Sequence, residues 1–334
     1  MIVDLAFVWA LIIAFAVLAY VVLDGFDLGI GILYPTLNPG TERDTAMNTV
    51  APVWDGNETW LVLGGGGLFA VFPLAYAVIM PALYMPITLM LLGLIFRGVS
   101  FEYRWRDKSH QWFWDASFTS GSFVAALMQG ITLGALVQGI EVENRAYAGG
   151  WWDWLTPFSM MTGIAVVVGY ALLGATWLVL KTEDPIKAHA ERLARITGAA
   201  TLAMIVIVSL WTVFLDPVFM SRWFSFPAII YVLPVPILTA LAAWSLHRGL
   251  EQRRDLQPFL SAIAIFVLCF VGLGISLYTD IVPHSVTIWN AAAPRSSLMF
   301  LLVGTMVLLP MILAYTAYSY WVFRGKVRDG EGYH

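Results

Sequence analysis

Cysteine is almost missing from this 334-residue chain. The single Cys269 lies inside an apolar run, which excludes an intrachain disulfide and a cysteine-held cluster and leaves the thiol as a small core hydrophobe. Charged residues make up only 12%, and the net charge of -4 is spread over connections, so neither a nucleic-acid patch nor a polybasic anchor is indicated. Histidine is scarce in the places that matter. His110, His189, His247, His284 and His334 all fall between or at the ends of apolar runs, so no imidazole is set mid-membrane to ligate a haem, and the 13 Met read as gap-fillers. The chain by itself is therefore expected to carry no cofactor. No spacing of His, Cys or carboxylates fits a metal site, and Ser-His-Asp, dinucleotide and phosphate-loop signatures are lacking. The amino terminus has no basic region and no small-residue cleavage site before Asp24, so it reads as an uncleaved first span.

What remains is apolar. With 60% hydrophobic residues, 20 Phe and 15 Trp, the chain is an all-α polytopic membrane protein, a single integral-membrane domain over 1–334. Nine hydrophobic runs are long enough to cross: roughly 6–33, 52–72, 75–96, 116–139, 157–180, 198–216, 226–246, 258–279 and 297–323. Alternate connections hold 15 of the 18 Lys and Arg, leaving Arg145, Arg222 and Arg295 on the other side. Since cytoplasmic loops carry the excess, the amino terminus is expected outside and the carboxyl terminus inside.

Four acids interrupt the first two runs: Asp24 and Asp27 in Leu23–Gly31, and Asp55 and Glu58 in Ala51–Trp60. Each pair has i,i+3 spacing, which places its members on one helix face. The first helix descends from outside, putting Asp24 roughly 27 Å below Ala6, and the second rises from the inner face. All four carboxylates then share the cytoplasmic third of the membrane. Arg97, at the end of the third run, is the natural counter-charge. The bland alternatives are a helix start favoured by the macrodipole for Asp55 and Glu58, and a frayed, solvated helix end for Asp24 and Asp27. The sharper reading is a proton-conducting cluster, because intramembrane acids are costly and functional.

Elsewhere the sequence reads as scaffold. Gly64–Gly67 lets a neighbouring helix approach closely. Pro86, Pro234, Pro236 and Pro310 are expected kinks. Trp105, Trp112 and Trp114 on the inner side, and Trp151, Trp152 and Trp154 on the outer, form aromatic belts. The connection Pro283–Pro294 is too short to span and lies along the interface or folds back.

Leu23-Asp-Gly-Phe-Asp-Leu-Gly-Ile-Gly31, Ala51-Pro-Val-Trp-Asp-Gly-Asn-Glu-Thr-Trp60, Phe96-Arg-Gly-Val-Ser-Phe-Glu-Tyr-Arg104 and Thr287-Ile-Trp-Asn-Ala-Ala-Ala-Pro294 resemble subunit II of bacterial cytochrome bd-type quinol oxidases. The resemblance implies a haem-free subunit of two four-helix bundles plus a peripheral helix in the bacterial cytoplasmic membrane. Its implied partner is a haem-bearing subunit I, with haem b and haem d, or haem b in place of haem d, which oxidises quinol and reduces O2 to water with cytoplasmic protons. A small single-span subunit and a structural quinone are compatible with it. It also implies that Asp24, Asp27 and Asp55 match positions associated with proton delivery. Asn290, where relatives often have an acid, and His284 depart from the pattern in the outer loop.

The reading is a subunit of a quinol:O2 oxidoreductase that stabilises the haem subunit and helps deliver protons through Asp24, Asp27, Asp55 and Glu58. The chain itself does no redox chemistry. The rival from another class is a proton-coupled secondary transporter using the same acids, although they lie off the midplane where transporters place substrate.

Overall fold

The computed structural model describes residues 4–327. The first helix, α1 (Leu5–Leu33), starts at Asp4, whose carboxylate accepts the backbone N–H of Phe7 at 3.1 Å. A short α2 (Thr41–Asn48) leads to α3 (Trp54–Val71), which turns at Phe72 into α4 (Pro73–Ala82) and α5 (Tyr84–Arg106). Then come α6 (Gln111–Gln138), α7 (Pro157–Lys181), α8 (Ile186–Val213), the short α9 (Pro217–Phe224) and α10 (Ala228–Val232), α11 (Pro234–Glu251) and α12 (Leu256–Leu277). A four-residue α13 (Ile288–Ala291) precedes α14 (Arg295–Val322). Two small antiparallel hairpins, Val142–Glu143 with Ala146–Tyr147 and Asp280–Val282 with Val286–Thr287, sit in connections between long helices.

Eight helical segments among the described residues are long and apolar enough to cross a membrane: Leu5–Thr36, α5, Lys108–Gln138, α7, α8, Ala228–Glu251, α12 and α14. The segment absent from that set, α3, has 18 residues and carries Asp55, Asn57, Glu58 and four consecutive glycines. It nevertheless lies antiparallel along α1: Gly67 faces Ile13, Trp60 meets Phe15, and Asn57 reaches the carbonyl of Leu23. By contrast α7 and α14 run parallel to α1. Gly25 faces Tyr170 and Gly29 faces Gly174, while Trp9 Nε1 donates to the Leu298 carbonyl and Phe26 meets Tyr320 far along both helices. So α1 and α14 begin at one end of the molecule and finish at the other.

Small residues set the closest crossings. A Cβ on Gly29 would fall 1.9 Å from the Tyr170 carbonyl oxygen, and one on Gly121 would fall 2.5 Å from the Gly93 oxygen. Those backbones touch because no side chain intervenes. One apolar core, with Phe26 stacked on Trp177 at 4.2 Å, joins α1, α5, α6, α7, α8 and α12 near the end of α1. A second, around Leu5, Trp9, Phe72 and Val78, closes the opposite end.

Several expectations are corrected. The third run is two helices broken at Leu83, and Pro86 lies within the first turn of α5. α5 continues to Arg106, so Arg97 sits more than two turns inside it. The seventh run breaks at Leu233, before Pro234, whereas α14 passes through Pro310 unbroken. α8 begins at Ile186 rather than 198, because Ile186, Ala190, Ala194 and Gly198 make a buried stripe beneath a charged face. Cys269 is exposed on the side of α12 and is not a core residue. Trp154 is buried, unlike exposed Trp151 and Trp152. Of the four Gly, Gly64 and Gly67 meet α1 while Gly65 and Gly66 face open space. The connection after α12 does fold back: Ala293 N–H donates to the Val71 carbonyl, and Trp289 Nε1 donates to Asp4 at 2.7 Å. His334 lies outside the described residues.

Candidate functional site

Asp24 and Asp27 project from one face of α1, and both are fully buried. Because α1 extends to Leu33, Asp24 lies about 13 Å before its end, which removes the frayed-end account. Arg97, also fully buried, bridges two acids from two helices. Its Nη1 donates to Asp24 Oδ1 at 2.6 Å, and its Nη2 donates to Glu58 Oε1. The Glu58 side chain keeps 27% of its surface, so the trio runs from a half-open carboxylate through a guanidinium to a closed one. Trp54, stacked on Phe101 at 4.8 Å, lies 5.9 Å from the Arg97 guanidinium and helps screen it from water.

Asp27 is held differently. Asn57 Nδ2 donates to Asp27 Oδ2 at 2.8 Å, and Asn57 Oδ1 accepts the Tyr320 hydroxyl at 2.8 Å. Three buried polar atoms facing this region, Asp24 Oδ2, Asp27 Oδ1 and Arg97 Nε, have no protein partner. Buried polar atoms are satisfied somewhere, and these are the positions at which a proton or an ordered water would be held. Tyr20, one turn before Asp24 on the same face of α1, extends the polar ladder. Its hydroxyl accepts from Gln129 Nε2 at 2.6 Å, and Gln129 Oε1 accepts from the Tyr170 hydroxyl at 2.6 Å.

The structure thus unites Asp24, Asp27, Glu58 and Arg97. Asp55 stands apart, exposed on the outer face of α3 with no hydrogen bond or ion pair among the described residues. Sequence reasoning missed Asn57, although it stands between the two acids of its motif, and it missed Gln129, whose polarity inside a span was the available signal. Nothing local marks Tyr320, which arrives from 263 residues away.

A second buried cation lies about two turns further along α5. Arg104 Nε donates to Asp115 at 2.6 Å and Nη1 to Asp44 at 2.7 Å, while Arg43 shares Asp115 at 2.8 Å. This cluster ties α2, α5 and α6 together where α1 ends. No group of His, Cys, Asp and Glu among the described residues could hold a metal ion. His110, His189, His247 and His284 are all at least partly exposed, so no described imidazole faces the interior of a bundle.

The cytochrome bd terminal oxidase subunit II family matches residues 5–323. The chain is 29% identical to cytochrome bd-I ubiquinol oxidase subunit 2 of Escherichia coli, over 97% of this chain and 95% of that one. It is 26% identical to cytochrome bd ubiquinol oxidase subunit 2 of Bacillus subtilis, over 97% of both. Its fold superimposes on a chain of the bd oxidase from Geobacillus thermodenitrificans with a TM-score of 0.78 at 16% identity, covering 96% of this chain and 99% of the other. With the match running through both acid-bearing helices and on to Tyr320, the chain belongs to the cytochrome bd terminal oxidase subunit II family.

Proposed function

We propose that this chain is the subunit of a bacterial inner-membrane quinol:O2 oxidoreductase that stabilises a haem-bearing subunit I and passes cytoplasmic protons toward it. The buried Asp24–Arg97–Glu58 bridge carries this reading. A fully desolvated guanidinium with two carboxylates is weak evidence for stability, since an apolar trio of similar volume would serve as well or better. A chain of titratable groups leading from a half-open acid into the protein has a use in moving charge.

In this role Glu58 and exposed Asp55 exchange protons with water at the end where α1 finishes. Arg97 holds the charged forms of Glu58 and Asp24 in place, and the unpartnered oxygens of Asp24 and Asp27 accept the proton in transit. Tyr20, Gln129 and Tyr170 offer hydroxyl and amide groups beyond them. The haems of the complex supply the electron transfer and oxygen chemistry; the described imidazoles of this chain lie outside the bundle interior and do not fit them, so no step here is routed through a haem.

The parallel course of α1 and α14 supports an odd number of crossings, with α3 as the ninth. It also supports α1, α3, α5 and α6 as one four-helix bundle, α7, α8, α11 and α12 as a second, and α14 as the peripheral helix. The Lys and Arg excess then puts the amino terminus outside.

The test is the purified complex carrying Asp24→Asn or Asp27→Asn, assayed for quinol-driven O2 consumption per assembled complex. Turnover is expected to fall tenfold or more with the optical spectrum unchanged, and Asp55→Asn should lower it only a few-fold. Undiminished turnover in fully assembled Asp24→Asn and Asp27→Asn complexes would leave the acids with a purely structural role.

A further inference from the structure

An open groove of about 480 Å3 runs along the antiparallel helices α11 and α12, within the size range of ligand sites. Its lining is almost wholly apolar, with Ala242 and Ser245 on α11 opposite Ser261 and Ala264 on α12. These small side chains recess the groove, and exposed Leu241 and Leu260 flank it on the side that faces hydrocarbon in a membrane-embedded chain. At the end where α11 stops and α12 starts the lining turns polar. Gln257 Nε2 donates to the Ser245 carbonyl and hydroxyl at 3.0 and 3.1 Å, and Arg254 Nη1 donates to Gln257 Oε1 at 2.9 Å.

The described acids nearest this end of the groove are already paired. Asp255, the nearest acid in sequence, is engaged by Lys187 at 2.5 Å and Lys326 at 3.0 Å. Glu251 pairs with His247, and Asp184 and Glu191 pair with Arg253. Among the described residues the Arg254 side chain thus bonds to a neutral amide and to no acid. Arg248, one turn beyond Ser245 on α11, lies over the Trp244 ring at 4.8 Å and pairs with no acid among the described residues. A groove that is hydrocarbon-like along the helices and ends, at the water boundary, in guanidinium without an acid partner among the described residues matches one kind of molecule.

We propose that this groove binds an anionic phospholipid, its acyl chain lying between α11 and α12 and its phosphodiester accepting hydrogen bonds from Arg254, with Arg248 adding to the positive field. The planar fork of Arg254 suits a phosphate better than a lysine would. The site lies on helices other than α1, α3 and α5, so it is separate from the acid cluster and does not depend on its proposed role.

The experiment is native mass spectrometry of the intact delipidated complex, titrated with phosphatidylglycerol, phosphatidylcholine or sn-glycerol 3-phosphate. Phosphatidylglycerol is expected to form a retained one-to-one adduct at least tenfold more than phosphatidylcholine. Arg254→Gln should abolish that preference, and Ala264→Phe should block the adduct while leaving the charge in place. Both variants should retain quinol oxidase activity, which certifies assembly. Equal retention of the two lipids, an adduct unchanged in Arg254→Gln, or glycerol phosphate binding as well as the lipid would each overturn the proposal.

Discussion

Arg97 can be removed only by stranding Asp24, a fully buried acid whose one direct ion-pair partner among the described residues it is. Arg97→Gln is expected to destabilise the complex by about 3–5 kcal/mol, as breaking a buried pair from one side does. Thermal unfolding in detergent reads this, and adding Asp24→Asn to the same chain should return a good part of the loss. Tyr320→Phe is a milder probe. It strips the donor from Asn57 Oδ1 while keeping the ring against Phe26 and Trp177, so about 1–3 kcal/mol is expected for the orphaned acceptor. If Asn57 then releases Asp27, oxygen consumption per complex should fall by more than that loss of stability accounts for, with Asn57→Ala giving the same phenotype.

Between elements, the closest approach of α1 to α7, at Gly29, is backbone against backbone. Gly29→Ala places a methyl 1.9 Å from the Tyr170 oxygen and 2.7 Å from the Gly174 nitrogen, so the helices must part. Assembly is expected to fail or the unfolding midpoint to drop by many degrees. Gly304→Ala in α14, where a Cβ meets nothing within 4 Å, should be neutral or stabilise by about 0.5–1 kcal/mol through helix propensity. The segment after α14 is pinned in another way. Buried Lys181 donates to the carbonyls of Phe323 and Gly325, and Lys326 binds both Asp255 and the Thr182 carbonyl. Partial burial pushes the Asp255 carboxyl up, but hydrogen bonds and charge from Lys187 and Lys326 outweigh it and hold the group below its ordinary 3.8. A depressed carboxylate adds stability that is fully present above its unfolded value and is lost as pH falls through the lower folded one. The Val327 amide, bonded to the Lys181 carbonyl, should therefore keep its exchange protection down to about pH 4 and lose it below. Asp255→Asn should lose that protection already at neutral pH.

For the whole molecule the deciding question is whether α3 crosses. On a Cys269→Ser background, Thr41→Cys and Lys108→Cys flank the α3–α5 segment, and Ala148→Cys follows the next crossing. If α3 and α4–α5 both cross, a membrane-impermeant maleimide labels Thr41→Cys and Lys108→Cys from the same, cytoplasmic side and Ala148→Cys from the other. Labelling of positions 41 and 108 from opposite sides would remove α3 from the set of spans.

Composition alone made this chain a helical membrane protein, because 60% apolar residues in runs of about 20 have no other way to satisfy backbone polar groups in hydrocarbon. The four acids and Arg97 were also legible, since a charge inside such a run stands out against its neighbours. Local sequence could not show which acids meet. Asp55 and Glu58 share a helix face by spacing, yet only Glu58 reaches Arg97, while Asp55 points outward, because the rotation of α3 against α1 is set by Gly64 and Gly67 packing on Val17 and Ile13. Tyr320 and Gln129 entered the site through contacts spanning 263 and 109 residues. Hydrophobic periodicity reports which face of a helix is buried; which distant polar group fills that face is decided by how the helices cross, and only the tertiary structure carries that information.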